Sequence, residues 1–176
     1  MTNREPAELA QEVVRALAMT RQRAIVLTGW GGLSPQELPK DIFAIDWVPF
    51  DWLLPRVSAA VHHGGAGTTA ASLRAGVPTI IVPFFLDQFY WGKRVFELGA
   101  GPRPILRKSL KADALAAALR VATSDPGMRD RAAKLGQRIR AEDGVARAVA
   151  TFNRHLQPAG SENVQNVHVV AGGGKA

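Results

Sequence analysis

Residues 59–78, Ala59-Ala60-Val61-His62-His63-Gly64-Gly65-Ala66-Gly67-Thr68-Thr69-Ala70-Ala71-Ser72-Leu73-Arg74-Ala75-Gly76-Val77-Pro78, constrain this chain more than any other stretch. A short apolar run reads as a buried strand, and three glycines permit a tight turn with close backbone approach. Residues 68–75 read as a helix stopped by Gly76 and Pro78. Strand, loop and helix make a βα unit, and the start of such a helix presents unpaired N–H groups at the positive end of its dipole. The loop Gly65, Ala66, Gly67 would let a diphosphate touch the backbone, and His63, Thr68 and Thr69 add donors. The plain alternative is a βα turn that binds nothing. The glycines alone do not separate the two readings; the histidine and threonines favour phosphate.

The flanking chain repeats the alternation. Residues 5–21 place Leu9, Val13, Val14 and Leu17 on one helical face, with Pro6 in the first turn. Residues 24–28 and 79–82 are continuous apolar runs of the kind parallel sheets bury on both faces, and 42–45 read as a further strand. Trp52, Leu53 and Leu54 form a short helical turn, and helices are expected over 87–98, 111–122, 126–141 and 145–156. The predicted fold class is α/β, a Rossmann-like doubly wound parallel sheet. In such sheets ligands bind beyond the carboxyl ends of the strands. The loops at Gly29 to Gly32, Asp46 to Val48, His63 to Thr68 and Phe84 to Gln88 leave those ends and should share one rim.

A chain of 176 residues can bury the core of one ordinary domain, expected here over 1–157, with 158–176 as a flexible tail or an added strand. The absence of Cys excludes disulfides and thiol catalysis. No N-terminal run is long and apolar enough for a signal peptide or membrane span, so a cytoplasmic location is expected. The net charge of +7 suits an anionic ligand, but the basic residues alternate with acidic ones along helices. That spread argues against nucleic acid as a partner.

Gly65-Ala66-Gly67-Thr68-Thr69-Ala70 also meets the loose dinucleotide pattern, but the next strand ends in Pro83 rather than an acidic residue that would hold a ribose. His62 and His63 lack a third ligand or a carboxylate, so no metal is expected, and His62 reads as a buried side chain bonded to backbone. Asp87 and Gln88 pair an acceptor with an amide, a set that reads the vicinal hydroxyls of a sugar, although Asp87 could equally cap a helix. Of the four tryptophans, Trp47 lies on the expected rim, where it could stack on a base.

Three segments in order carry a family resemblance: Asp51-Trp52-Leu53-Leu54-Pro55-Arg56, His62-His63-Gly64-Gly65-Ala66-Gly67-Thr68-Thr69, and Pro83-Phe84-Phe85-Leu86-Asp87-Gln88-Phe89-Tyr90-Trp91-Gly92. They resemble the C-terminal, donor-binding half of GT-B nucleotide-sugar glycosyltransferases, and most of all the UDP-glucose:sterol 3-β-glucosyltransferases and bacterial natural-product relatives. The resemblance implies that His63, Gly65, Ala66, Gly67 and Thr68 hold the diphosphate of a UDP-sugar. Trp47 and Val48 would lie beside the nucleoside, and Asp87 and Gln88 would bind the donor sugar. Phe50 and Ala71 stand where many relatives carry a Gln and a Glu that contact the nucleoside.

The family also implies an N-terminal acceptor domain that provides the catalytic base, and a strand near the middle of the sheet that precedes the first helix seen here. The expectation is therefore a truncated half of an inverting glycosyltransferase acting on a lipophilic hydroxyl such as a sterol or macrolide. It would carry no catalytic residue and no cofactor of its own, and would be inactive alone. A noncatalytic nucleotide-sugar-binding module and a GT-B epimerase are the alternatives. Val164 to Gly174, apolar and then glycine-rich, could fill the vacant strand position within the chain or by exchange in a homodimer.

Overall fold

The computed structural model describes residues 6–28 and 38–156. The loop at Gly29 to Gly32 with Trp30, and the tail segment from Val164 to Gly174, lie outside the described residues. The chain divides into two compact units, Met1–Ala141 and Glu142–Ala176.

In the first unit, α1 (Pro6–Thr20), β1 (Ala24–Leu27), β2 (Ile42–Ile45), α2 (Phe50–Leu53), β3 (Ala60–His62), α3 (Ala66–Ala75), β4 (Thr79–Ile81), α4 (Gln88–Glu97), α5 (Ala112–Ser124) and α6 (Pro126–Ala141) follow in order. The second unit holds α7 (Gly144–Leu156), whose Val145, Val149, Phe152 and Leu156 are exposed. The expected helix at 68–75 begins two residues earlier, because Gly65 takes the extended N-cap conformation. It ends where expected, with Gly76 left-handed at φ 77° and its N–H bonded to Leu73 O.

The strands are parallel, as expected, and pair as β1 with β2 (Ala24 opposite Ile42) and β3 with β4 (Ala60 opposite Thr79). Among the described residues no ladder joins the two pairs. One hydrophobic cluster serves both pairs: Ala16 and Leu17 of α1 and Leu115, Ala116, Leu119 and Ala122 of α5 pack with Ile42, Ile80 and Val82, and Ala24 and Val26 lie against them. Each large apolar side chain so buried contributes about 1.5–3 kcal/mol relative to exposure.

β4 is buried on both faces, as its sequence predicts; β1 and β2 are not. Ile25, Phe43 and Val61 remain 42%, 66% and 45% exposed, so the expectation of two-sided burial holds only where α3, α4 and α5 all pack on one strand. Beyond the sheet, α3 packs on α6, where a Cβ on Gly136 would stand 2.7 Å from Gly76 Cα. The N-terminus of α5 is closed by Glu12, whose buried carboxylate accepts the Ala112 N–H at 2.7 Å. Among the described residues no helix is long and apolar enough to cross a membrane.

Candidate functional site

The glycine loop is built by packing on one side and left open on the other. Gly64 has φ 91°, and a Cβ there would lie 2.6 Å from Ile81 Cγ2 and 3.2 Å from Gln88 O, so the turn sits directly on the end of β4 and the start of α4. At Gly67 nothing lies within 4 Å of a Cβ position, so the approach to α3 is open. The N-cap Gly65 offers no side-chain bond, and Thr69 N donates to Gly65 O as the first helical hydrogen bond. The N–H groups of Ala66, Gly67 and Thr68 therefore point out of the helix with no intrahelical acceptor. No acidic residue occupies the first turn. The positive helix end is thus uncompensated by the chain itself.

His63 lies over this mouth. Its Nε2 is 2.5 Å from the position of a Gly65 Cβ, so the exposed imidazole can sit there only because residue 65 is Gly. The ring tilts against Phe84 at a centroid distance of 6.4 Å, and the Arg107 guanidinium stands 4.8 Å from the centroid of the Phe84 ring. Arg107 had no signal in the sequence beyond its charge. Only the path of the chain after β4 brings a guanidinium to the aromatic beside His63.

His62 turns the other way, as expected for a buried polar residue. The Gly64 N–H donates to its Nδ1 at 3.0 Å, and its Nε2 lies 3.4 Å from Ser72 Oγ. Burial, reinforced by the neighbouring His63, lowers its pKa from 6.5 to about 4, so the ring is neutral at physiological pH. Thr69 Oγ1, fully buried in α3, has no hydrogen-bond partner.

The second rim loop follows β4. Leu86 takes φ 52°, and Gln88 turns inward until it is 4% exposed, with Oε1 accepting from Phe84 N at 2.8 Å and Phe85 N at 3.2 Å. The carboxamide oxygen is thereby committed to its own loop. Asp87 stays exposed and makes no side-chain cap; its Oδ2 accepts the Trp91 Nε1–H at 3.1 Å.

The structure therefore brings together the 63–68 loop and the 84–88 loop, through His63 with Phe84 and Gly64 with Gln88. Trp47 and Val48 belong to the rim of the other strand pair. That rim is tied internally by Thr28 Oγ1, which donates to Asp46 Oδ1 at 2.6 Å. Trp47 is 78% exposed, and among the described residues no hydrogen bond or ring contact joins Trp47 or Val48 to the glycine loop. Among the described residues no group of three or more His, Asp or Glu residues stands where a metal could be held. An open helix end with free amides, an imidazole above it and a carboxylate and amide alongside can take a dianion carrying a hydroxyl-rich group.

Three comparisons bear on this arrangement. A family model described as "Erythromycin biosynthesis protein CIII-like, C-terminal domain" matches residues 6–151. A sterol 3-beta-glucosyltransferase of Arabidopsis thaliana is 46% identical over 156 residues, covering 88% of this chain and 25% of the relative. The chain therefore spans about a quarter of that protein. Among solved structures, the glycotransferase of kitacinnamycin aligns with a TM-score of 0.75 at 30% identity, over 89% of this chain and 41% of that one. The glycosyltransferase VinC, in complex with dTDP, aligns at 0.72 and 28%, over 84% and 39%.

Proposed function

Since this chain belongs to the erythromycin biosynthesis protein CIII-like C-terminal domain family, the C-terminal half of GT-B glycosyltransferases, we propose that it binds a UDP-sugar, most simply UDP-glucose, as the donor domain of an inverting hexosyltransferase. One observation carries the reading: the uncapped, unfilled N-terminus of α3 with no acid in its first turn, beneath the exposed imidazole of His63.

In this reading the amides after Gly65, with Ala66, Gly67 and Thr68, and the His63 ring hold the diphosphate. Asp87 and the Gln88 amide nitrogen receive hydroxyls of the sugar, and Trp47 with Val48 flanks the nucleoside. The donor domain is taken as 1–157. Transfer breaks the bond between the anomeric carbon and the diphosphate oxygen as an acceptor hydroxyl oxygen bonds to that carbon from the opposite face. The hydroxyl proton passes to a base supplied outside this chain. Negative charge grows on the leaving diphosphate, and fixed amides, the helix dipole and an imidazole donor stabilise it most at that moment. The acceptor proposed is a lipophilic hydroxyl, by analogy with the relatives that act on sterols.

Calorimetric titration of the chain with UDP, dTDP and NAD tests the reading. UDP binding that is lost on His63→Ala and exceeds NAD binding is the expected outcome. Equal indifference to all three nucleotides would overturn it. Transfer of glucose to a sterol on adding a separately expressed acceptor domain would distinguish a half-enzyme from a binding module.

A further inference from the structure

His62 is not free to touch a ligand, yet its ring joins three parts of the site. It ends β3, accepts the Gly64 N–H at Nδ1, and faces Ser72 Oγ of α3 with Nε2. A backbone N–H can only donate, so Nδ1 carries the lone pair and the ring proton sits on Nε2, directed at the serine hydroxyl. Ser72 is fully buried, two turns into the helix whose N-terminus forms the mouth.

Gly64, the residue so held, is in the left-handed region and is wedged against Ile81 and Gln88. The peptide that follows it leads straight into the N-cap Gly65. From this geometry we infer that His62 is a positioning residue: its acceptor nitrogen fixes the Gly64 peptide, and through it the direction in which the amides of Ala66, Gly67 and Thr68 present themselves. The bond runs from a side chain to the N–H two residues on, the same closure an Asn makes in an Asx turn. A leucine of similar size fills the space without the acceptor, and a glutamine places its acceptor one methylene too far.

The competing account is that His62 only fills the core, in which case packing volume alone matters. Two readouts on the full chain separate these accounts: UDP affinity by calorimetry, and hydrogen exchange of the Gly64 amide, which needs no ligand. The affinity readout rests on the nucleotide reading above; the exchange readout does not. His62→Asn should keep Gly64 protected and UDP affinity within about threefold of the wild type. His62→Leu should expose the Gly64 amide and weaken UDP by about tenfold or more, consistent with loss of one buried hydrogen bond and its alignment.

Should the leucine variant not fold, His62→Gln replaces it, with the same expectation. Leucine or glutamine variants that match the wild type in both readouts overturn the inference, as does an asparagine variant as impaired as they are. If the wild-type chain binds no UDP, the nucleotide reading fails, and the Gly64 amide alone decides the matter. Protection in wild type and His62→Asn but not in His62→Leu supports the clamp; equal exchange in all three overturns it.

Discussion

Gln88 Oε1 stands 2.8 Å from the backbone nitrogen of Phe84, so the side chain expected to reach for a sugar also closes its own loop onto the start of α4. The two roles use opposite ends of one amide and can be separated. Gln88→Glu keeps an oxygen for the Phe84 and Phe85 amides but loses the NH2. It should leave UDP affinity within about twofold while weakening UDP-glucose by about tenfold, read by calorimetry. Gln88→Ala leaves both part-buried amides without this partner and should also lower stability by about 1 kcal/mol, read from urea unfolding.

His63 is exposed and packs on no core residue, so its loss should register in binding and not in folding. His63→Ala is expected to reduce UDP affinity about tenfold, the order of one hydrogen bond to a charged group, with an unchanged melting temperature. A drop in melting temperature of several degrees without change in affinity would reverse the assignment.

Stability should depend on pH through His62. Its folded pKa is lowered from 6.5 to about 4, so between those values the unfolded chain holds a proton that the folded chain does not. Stability then falls as pH drops from about 6.5 to 4, by no more than ~3 kcal/mol from this group, and is insensitive to it above about pH 7. The difference in urea midpoint between pH 7 and pH 4.5 should be smaller in His62→Asn than in the wild type, since the carboxylates titrate in both.

Thr69 carries a buried hydroxyl with no partner. Thr69→Val is nearly isosteric and removes a polar group that gains nothing in the fold. It should therefore be neutral or stabilising, by up to about 1 kcal/mol in thermal or urea unfolding. Marked destabilisation would mean that the hydroxyl is bonded in solution.

Most of the elements were legible because their signals are local. The glycines and Pro78 bracket α3, the apolar runs mark the strands, and the 3.6-residue period marks α1 and α5 to within a residue or two. His62 was legible as a buried side chain, since a residue at the end of a buried strand alternates into the interior. Its approach to Ser72 was not, because that contact depends on the angle between strand and helix. Burial of β1 on two faces was misjudged for a related reason. An apolar run states what a strand can bury, whereas Ile25 is covered or bare according to which helices the rest of the chain brings over it.

By itself the sequence determined the order of strands and helices, the glycine turn and a helix start without a side-chain cap or an acid in its first turn, because dihedral freedom, periodicity and unpaired amides are properties of neighbouring residues. Tertiary structure alone decided that Arg107 stacks on Phe84, that Glu12 closes a helix starting one hundred residues later, and that Gln88 faces inward. Glu12 and Ala112 lie far apart in the chain, and the Arg107 and Gln88 contacts depend on how the chain turns after β4, so only the folded sheet and its helices bring these groups together.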